Sequence, residues 1–367
     1  MYIDRLFCKN FRNYASLSLE LSPTINLLVG PNGGGKTNIL EAVSVLSDIR
    51  SFRNVHDSDV VQWGRNSYFC SASVQENNYR QFEIGCTLGE ERVKKRAKID
   101  GSEIKKVSDY FGKLLTVVFS PNDINILSGT PEGRRRFFDE ILSRVDSAYF
   151  NSLSEFRKVL ASRNSLLRNL HDGKRRSGVE LDVWDDMYSQ VSSCIIGKRL
   201  DFIQIFARIF TGYYLRMSGF EDPPGITYAS SAGPPDRTEI LKRLTGRRER
   251  DLALGSTSLG PQRDDYLFLH PNGRRFVQYA SQGQKRAAVI ALKISECSFI
   301  EESTGKKVII MVDDIFSELD ETRKRNMSHI VTGGNQVIFT MVSEGSAIDG
   351  FRIGRRFAVE NGTVRDV

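Results

Sequence analysis

Gly30, Pro31, Asn32, Gly33, Gly34, Gly35, Lys36 and Thr37 fit the pattern GxxxxGK[ST], directly after the apolar run 25–29 and before the helical-looking stretch 39–46. That context suits a loop that cradles phosphates. Glycines at this spacing let backbone N–H groups wrap the phosphates of ATP, and the helix N-terminus adds a favourable dipole. Lys36 then reaches the β and γ phosphates, and the Thr37 hydroxyl ligates Mg²⁺. A Gly-rich turn that binds nothing would leave Lys36 unexplained. Such a loop also needs a carboxylate at the end of a neighbouring strand to hold the metal. Val308, Ile309, Ile310, Met311 and Val312 run straight into Asp313 and Asp314. Asp313 is assigned to the metal, and Asp314 to polarising the attacking water, a role that needs an acceptor near the γ-phosphate. Two solvated carboxylates closing a buried strand are the bland alternative.

Ser281, Gln282, Gly283 and Gln284 open a helical stretch and resemble the signature motif of ABC-type ATPases. In that motif a Ser and a Gly at a helix N-terminus offer donors to a γ-phosphate bound on the opposite subunit. ATP would then join two protomers, since one chain cannot complete its own site. For this segment alone an ordinary helix cap is an equally good reading. Beyond the two aspartates, Ser317 and Asp320 lie in a stretch that resembles the D-loop, which communicates between paired sites.

These groups need a strand-rich scaffold. Strand-like pieces cover residues 2–8, 17–21, 25–29, 68–74, 82–88 and 93–99, the last followed by the turn pair Asp100 and Gly101. Thr130 and Pro131 form an N-cap and first helical residue, and apolar residues at helical spacing follow through residue 170. A second helical block covers about residues 183–215. Strand-like sequence returns near the end, with a final hairpin turned by Asn361 and Gly362. The predicted architecture is α/β: an ABC-type ATPase head formed by residues 1–120 and 256–367, with a helix-rich domain, 121–255, inserted.

The chain has 367 residues, with 52 Lys and Arg against 45 Asp and Glu, a formal charge of +7 that leans towards a polyanionic partner. Five scattered cysteines and four histidines leave no CxxC pair and no His-rich metal cage. No apolar run approaches the roughly 20 residues of a membrane span, so a cytoplasmic protein without a membrane partner is expected. Strand alternation puts Lys94, Arg96 and Lys98 on one face, a row suited to DNA phosphates without base reading. Further basic clusters stand at 134–136, 174–176 and 247–250. No zinc finger or recognition helix is evident.

Taken end to end, the chain resembles the RecF family of DNA-repair ATPases, which is related to SMC proteins. Asn10, Phe11, Arg12, Asn13 and Tyr14 match the family's NFRNY, and Asn38 and Glu41 continue its GKTNxxE. Arg50, Ser51, Phe52 and Arg53 match RSFR. Phe119, Ser120, Pro121 and Asp123 match FSPxD, and Gly129, Pro131, Arg134, Arg135, Arg136 and Phe137 match GxPxxRRRF. Three departures stand out: Gln262 where the family has a histidine in GPHRDD, Lys285 in the signature, and Met341 in a run that is more Thr-rich elsewhere. The resemblance implies an ATP-dependent homodimer that binds duplex DNA beside single-strand gaps and cooperates with RecR and RecO in RecA loading. It also implies that Arg12 and Asn38 approach the nucleotide, and that hydrolysis is slow because no switch histidine is visible. A nucleoid-associated location follows. Another SMC-like ATPase acting on DNA, or an ABC ATPase subunit unrelated to DNA, stays open.

Overall fold

The computed structural model describes residues 1–89, 92–174, 179–219, 222–315, 333–343 and 352–367. Among these, the chain forms strands β1 (Tyr2–Phe11), β2 (Tyr14–Glu20), β3 (Ile25–Val29), β4 (Ser67–Gln75), β5 (Tyr79–Leu88), β6 (Val93–Ile99), β7 (Ser102–Glu103) and β8 (Thr116–Phe119). Later come β9 (Gly225–Ala229), β10 (Asp265–Leu269), β11 (Ile309–Asp313), β12 (Val337–Met341), β13 (Ile353–Glu360) and β14 (Thr363–Asp366). Contacts divide the chain into two compact units. The first comprises Met1–Asp123, Arg216–Ser218 and Ala287–Val367, the second Ile124–Leu215 and Gly219–Arg286.

In the first unit an antiparallel sheet runs β2-β1-β4-β5-β6-β7. Its strands alternate: Leu6, Cys8, Tyr68 and Cys70 are buried while Lys9 and Lys94 are exposed, as a sheet with one wetted face requires, with Ser71 on the outer face of β4 also buried. Asp100 (φ 53°) and Gly101 (φ 78°) form the two-residue turn that brings Ile99 opposite Ser102, which is the hairpin that the Asp-Gly pair predicts.

The second sheet of this unit runs β14-β13-β3-β12-β11-β8. All its ladders are parallel except the β13–β14 hairpin. β11 and β12 are apolar almost throughout and buried, the pattern of parallel strands covered on both faces. Helix α1 (Lys36–Asp48) touches strands of both sheets. One apolar cluster therefore holds Leu6 and Ile84 from the first sheet, Val43 and Leu46 from α1, and Met311 and Ile338 from the second. Leu46→Ala here would cost about 2–5 kcal/mol.

The second unit is built on the helices Pro131–Val145, Ser147–His171 and most of Val179–Ser218. Thr130 Oγ1 accepts from the Gly133 N–H at 3.2 Å with Pro131 at the first helical position, and Asp146 caps the next helix through the Tyr149 N–H at 3.0 Å. The Phe138 ring packs against Phe206 and Tyr266 with centroids 5.5 and 4.2 Å apart.

This unit continues to Arg286, whereas the return to strand-like sequence predicts its end at residue 255. Long-range side-chain bonds explain the difference. Arg134 forks onto Asp265 at 2.7 and 2.9 Å, Arg135 donates to the Asp264 carbonyl at 2.5 Å, and β10 pairs with β9. Two members of the basic cluster 134–136 are thus engaged inside the unit. Gln262 belongs to the same knot: the Tyr188 hydroxyl lies 2.8 Å from its Oε1, and its Nε2 donates to the Leu259 carbonyl at 3.0 Å. Nothing in these contacts needs a charged ring at position 262.

Candidate nucleotide site

β3, β12 and β11 lie side by side and end on one edge of the parallel sheet, with Asp313 opposite Thr340 and Met341 opposite Val29. The loop after β3 therefore emerges beside the carboxylates after β11, the edge where open α/β sheets bind ligands. Close packing dictates the glycines. A Cβ on Gly30 would stand 1.9 Å from the Val359 carbonyl oxygen of β13. Gly35, the N-cap of α1 at φ 116°, would place one 2.6 Å from the Tyr14 hydroxyl. Having no side chain, Gly35 offers no side-chain cap, and the Lys36 and Thr37 N–H groups that open α1 are placed to serve as anion donors, while the Asn38 N–H bonds the Gly35 carbonyl at 3.0 Å. Gly362 completes the wall by donating its N–H to the Gly34 carbonyl at 3.2 Å.

Lys36 folds back over this loop, donating from Nζ to the carbonyls of Gly30 at 2.7 Å and Pro31 at 2.9 Å. Burial lowers its pKa, opposed by the charges of Asp314 and Asp313. An anion at the loop would oppose the burial effect further.

The Thr37 hydroxyl donates to Asp313 Oδ1 at 2.8 Å. Residues 276 positions apart in the chain are joined here by the register of the sheet. Thr340, at the end of β12, donates to the same Oδ1 at 2.9 Å and accepts from the Asp314 N–H at 3.1 Å. Asp314 takes a left-handed φ of 48°, tolerated by Asp better than by most side chains. Among the described residues no cluster of three or more His, Cys, Asp or Glu could hold a metal ion. One hydroxyl and one carboxylate still fit Mg²⁺, which usually keeps waters and takes its other ligands from substrate phosphates. The donor set thus suits a Mg–nucleoside triphosphate.

A second layer braces the loop. The buried Glu41 carboxylate on α1 receives Arg12 through Nε at 2.8 Å and Nη2 at 2.5 Å, and Ser51 Oγ at 2.5 Å. Arg53 lies 3.5 Å from its other oxygen. Asn38 donates to Asn13 at 2.8 Å and accepts from Arg53 at 3.3 Å, while Asn13 and Tyr14 donate to the carbonyls of Gly34 and Gly35 at 3.2 and 3.1 Å. Arg12 and Asn38, expected at the nucleotide, thus make these bonds within the brace. Asn13, Tyr14, Ser51 and Thr340 carry roles that sequence reading missed. The unbroken match of NFRNY and RSFR was the available signal for the first three, and a lone Thr closing an apolar strand for the last.

In the second unit, Ser281 and Gln284 bond reciprocally: the Ser281 N–H donates to Gln284 Oε1 at 2.8 Å and the Gln284 N–H to Ser281 Oγ at 3.2 Å. That is a capping box opening the helix Gln282–Thr304, with Gly283 in its first turn. A hydroxyl that accepts there still has its O–H to donate. Ser317 and Asp320 lie outside the described residues.

Lys94, Arg96 and Lys98 do share the wetted face of β6, whereas Lys95 turns under it to the Ile49 carbonyl at 2.7 Å.

Known proteins agree with this architecture. The family model "RecF/RecN/SMC N terminal domain" matches residues 2–364. A DNA replication and repair protein RecF of Leptospira interrogans is 35% identical over 341 residues, covering 93% of this chain and 91% of that one. Its counterpart in Listeria welshimeri is 32% identical over 372 residues, 100% of both chains. Among solved structures, the recombination mediator protein RecF-ATP of the RecFOR pathway superimposes with a TM-score of 0.91 at 31% identity, covering 100% of this chain and 97% of that one. An SMC head bound to the C-winged helix domain of ScpA reaches 0.54 at 13% identity over 100% and 98% of the two chains, a likeness of fold alone. The phosphate loop, its brace, the near-complete family match and the full-length relatives converge: this chain belongs to the RecF/RecN/SMC N-terminal domain family, and within it to the RecF proteins.

Proposed function

We propose that this chain is an ATP-dependent DNA-binding recombination mediator of RecF type, in which ATP closes a homodimer on duplex DNA near single-strand gaps. The juxtaposition of Thr37 and Asp313 at 2.8 Å, beside Lys36, carries the reading. When bound, Mg²⁺ neutralises phosphate charge. Thr37 and Asp313 would hold it, and the first-turn N–H groups of α1 with Lys36 orient the phosphates. Asp314 accepts a proton from the attacking water, its backbone fixed by Thr340. Ser281 and the Gly283 N–H reach a γ-phosphate on the opposite protomer, and Ser317 and Asp320 relay between the two sites.

ATP hydrolysis is slow and acts as a switch. Supporting this, β12 ends in Thr340 and Met341, neither of which can act as a switch histidine, and the Met341 carbonyl accepts from the Gly30 N–H at 3.2 Å. Relatives named RecF, one assigned to the RecFOR pathway, support RecR as partner, with RecO and RecA in the pathway, and a cytoplasmic, nucleoid-associated site of action. Among the described residues no helix is long and apolar enough to cross a membrane. Lys94, Arg96 and Lys98 are the proposed phosphate contacts.

The test is fluorescence anisotropy on a gapped duplex with ATP, with ADP, and with ATP plus Ser281→Arg. ATP should tighten binding and the substitution should abolish that gain. Binding indifferent to both nucleotide and Ser281 would remove the clamp and favour a constitutive DNA-binding surface.

A further inference from the structure

The wetted face of the antiparallel sheet carries aromatic rings that the phosphate-contact reading does not use. On β1, Phe7 alternates with the buried Leu6 and Cys8, and on β4 Phe69 alternates with the buried Tyr68 and Cys70. Both rings therefore point away from the apolar core beneath. They lie against one another with centroids 6.3 Å apart, Phe7 opposite Ser71 and Lys9 opposite Phe69. Serines surround them: Ser18 faces Phe7 across β2, and Ser71 and Ser73 follow along β4. A solvent-side ring pair framed by small hydroxyl residues has no core to join.

A third ring stands at the same end of the sheet. Trp63 is 98% exposed, in a four-residue turn closed by the Arg65 N–H donating to the Gln62 carbonyl at 3.0 Å, with Gly64 at φ 76°. The turn is anchored beside Lys9, because the Gln62 N–H donates to the Asn10 carbonyl at 2.9 Å. Indoles are seldom left bare to this degree.

Charge fixes the class of ligand. Lys9 and Lys94 are exposed on this face, and Arg96 and Lys98 continue the row. Glu20 is matched by Arg5 at 3.3 Å, Glu83 stands opposite Lys98 and Glu103 lies 3.9 Å from Arg96, so Lys9 and Lys94 are left to favour an anion. Aromatic faces set among cations on an open sheet bind unstacked bases and track a phosphate backbone. A stacked duplex hides its base faces and offers such rings nothing.

We propose that Phe7, Phe69 and Trp63 form a stacking platform for single-stranded DNA, beside the basic row assigned to duplex phosphates. It rests on the DNA-binding reading above and assigns the single-stranded part of the gapped substrate to named residues. Loading the strand here needs no nucleotide.

The experiment uses the full chain with Trp184→Phe, which leaves Trp63 as the sole tryptophan of the two. Its emission is followed while an oligothymidine or a duplex of equal length is added, without ATP. Oligothymidine should quench Trp63. The double variant Phe7→Ala with Phe69→Ala should weaken oligothymidine binding about tenfold or more while duplex binding changes less than about twofold. Phe7→Leu with Phe69→Leu, which keeps the apolar area and removes the rings, should behave as the alanine pair does and so separates stacking from misfolding. Unchanged oligothymidine affinity, or equal losses on both substrates, overturns the platform. The ATP dependence of gapped-duplex binding, measured on the same variants, reports separately on the clamp.

Discussion

Arg12 meets Glu41 as a two-pronged pair, Nε to Oε2 at 2.8 Å and Nη2 to Oε1 at 2.5 Å, with the carboxylate buried in α1. Through that one carboxylate the segments around residues 12, 41 and 51 hold each other and the phosphate loop. Removing one partner of a buried pair leaves the other charge uncompensated, which costs far more than the pair contributes. Arg12→Ala should lower unfolding free energy by about 3 kcal/mol, measured by urea titration. A loss below about 1 kcal/mol would mean that Ser51 and Arg53 suffice for Glu41.

Thr340 gives a cleaner separation of chemistry from binding. Thr340→Val keeps the shape of the strand end but removes the hydroxyl that bridges Asp313 and the Asp314 N–H. ATP turnover should fall about tenfold or more, with nucleotide affinity nearly unchanged, and Thr340→Ser should restore it. Turnover kept by Val but lost with Ser would show that the methyl packing mattered instead.

Gly30→Ala should abolish nucleotide binding, since its Cβ would stand 1.9 Å from a backbone oxygen that cannot swing away. Equilibrium binding of a fluorescent ATP analogue checks this. Gly33 has nothing within 4 Å of such a Cβ, but its φ of 80° strains any other residue. The corresponding Gly33→Ala should therefore be milder, and a reversed order of the two would sink the packing argument.

Asp123 sets a pH dependence. Burial pushes its carboxyl up to about 6, against the pull of Lys293 and the Ser120 N–H and with the push of Glu296. A carboxyl raised above its unfolded value favours the folded state fully only while both states are protonated, at about pH 4 and below. That contribution is lost as pH rises through about 6. Asp123→Asn should therefore gain stability over wild type as pH goes from about 4 to 7, by about 2–3 kcal/mol. Thermal melts across that range would show parallel curves if the carboxyl is ordinary.

Gln262→Ala should cost no more than about 1 kcal/mol, since the Tyr188 hydroxyl and the Leu259 carbonyl still bond each other at 2.7 Å. ATP turnover and gapped-duplex binding per folded molecule should stay within about twofold. A specific loss of turnover would give position 262 a role beyond the helical unit.

What the sequence made legible was local. The phosphate loop, the carboxylates after β11 and the Asp-Gly hairpin are written in adjacent residues, where turn chemistry and strand periodicity act over a few positions. Partners far apart were not legible. Nothing near Glu41 announces that Arg12 and Ser51 will reach it, and nothing near Asp265 names Arg134, 131 residues away, as its partner. Thr340 escaped notice because its importance comes from sheet register, which parallel ladders fix only once the whole sheet exists.

The wall that Val359 and Gly362 give the phosphate loop also sets a timetable for synthesis. β13 must pair with β3, Ile353 beside Ile25, before the loop has its full shape. A ribosome will have exposed Lys36 and Thr37 long before it makes the strand against which Gly30 packs. Until β13 and the turn at Gly362 are made, the loop lacks this wall.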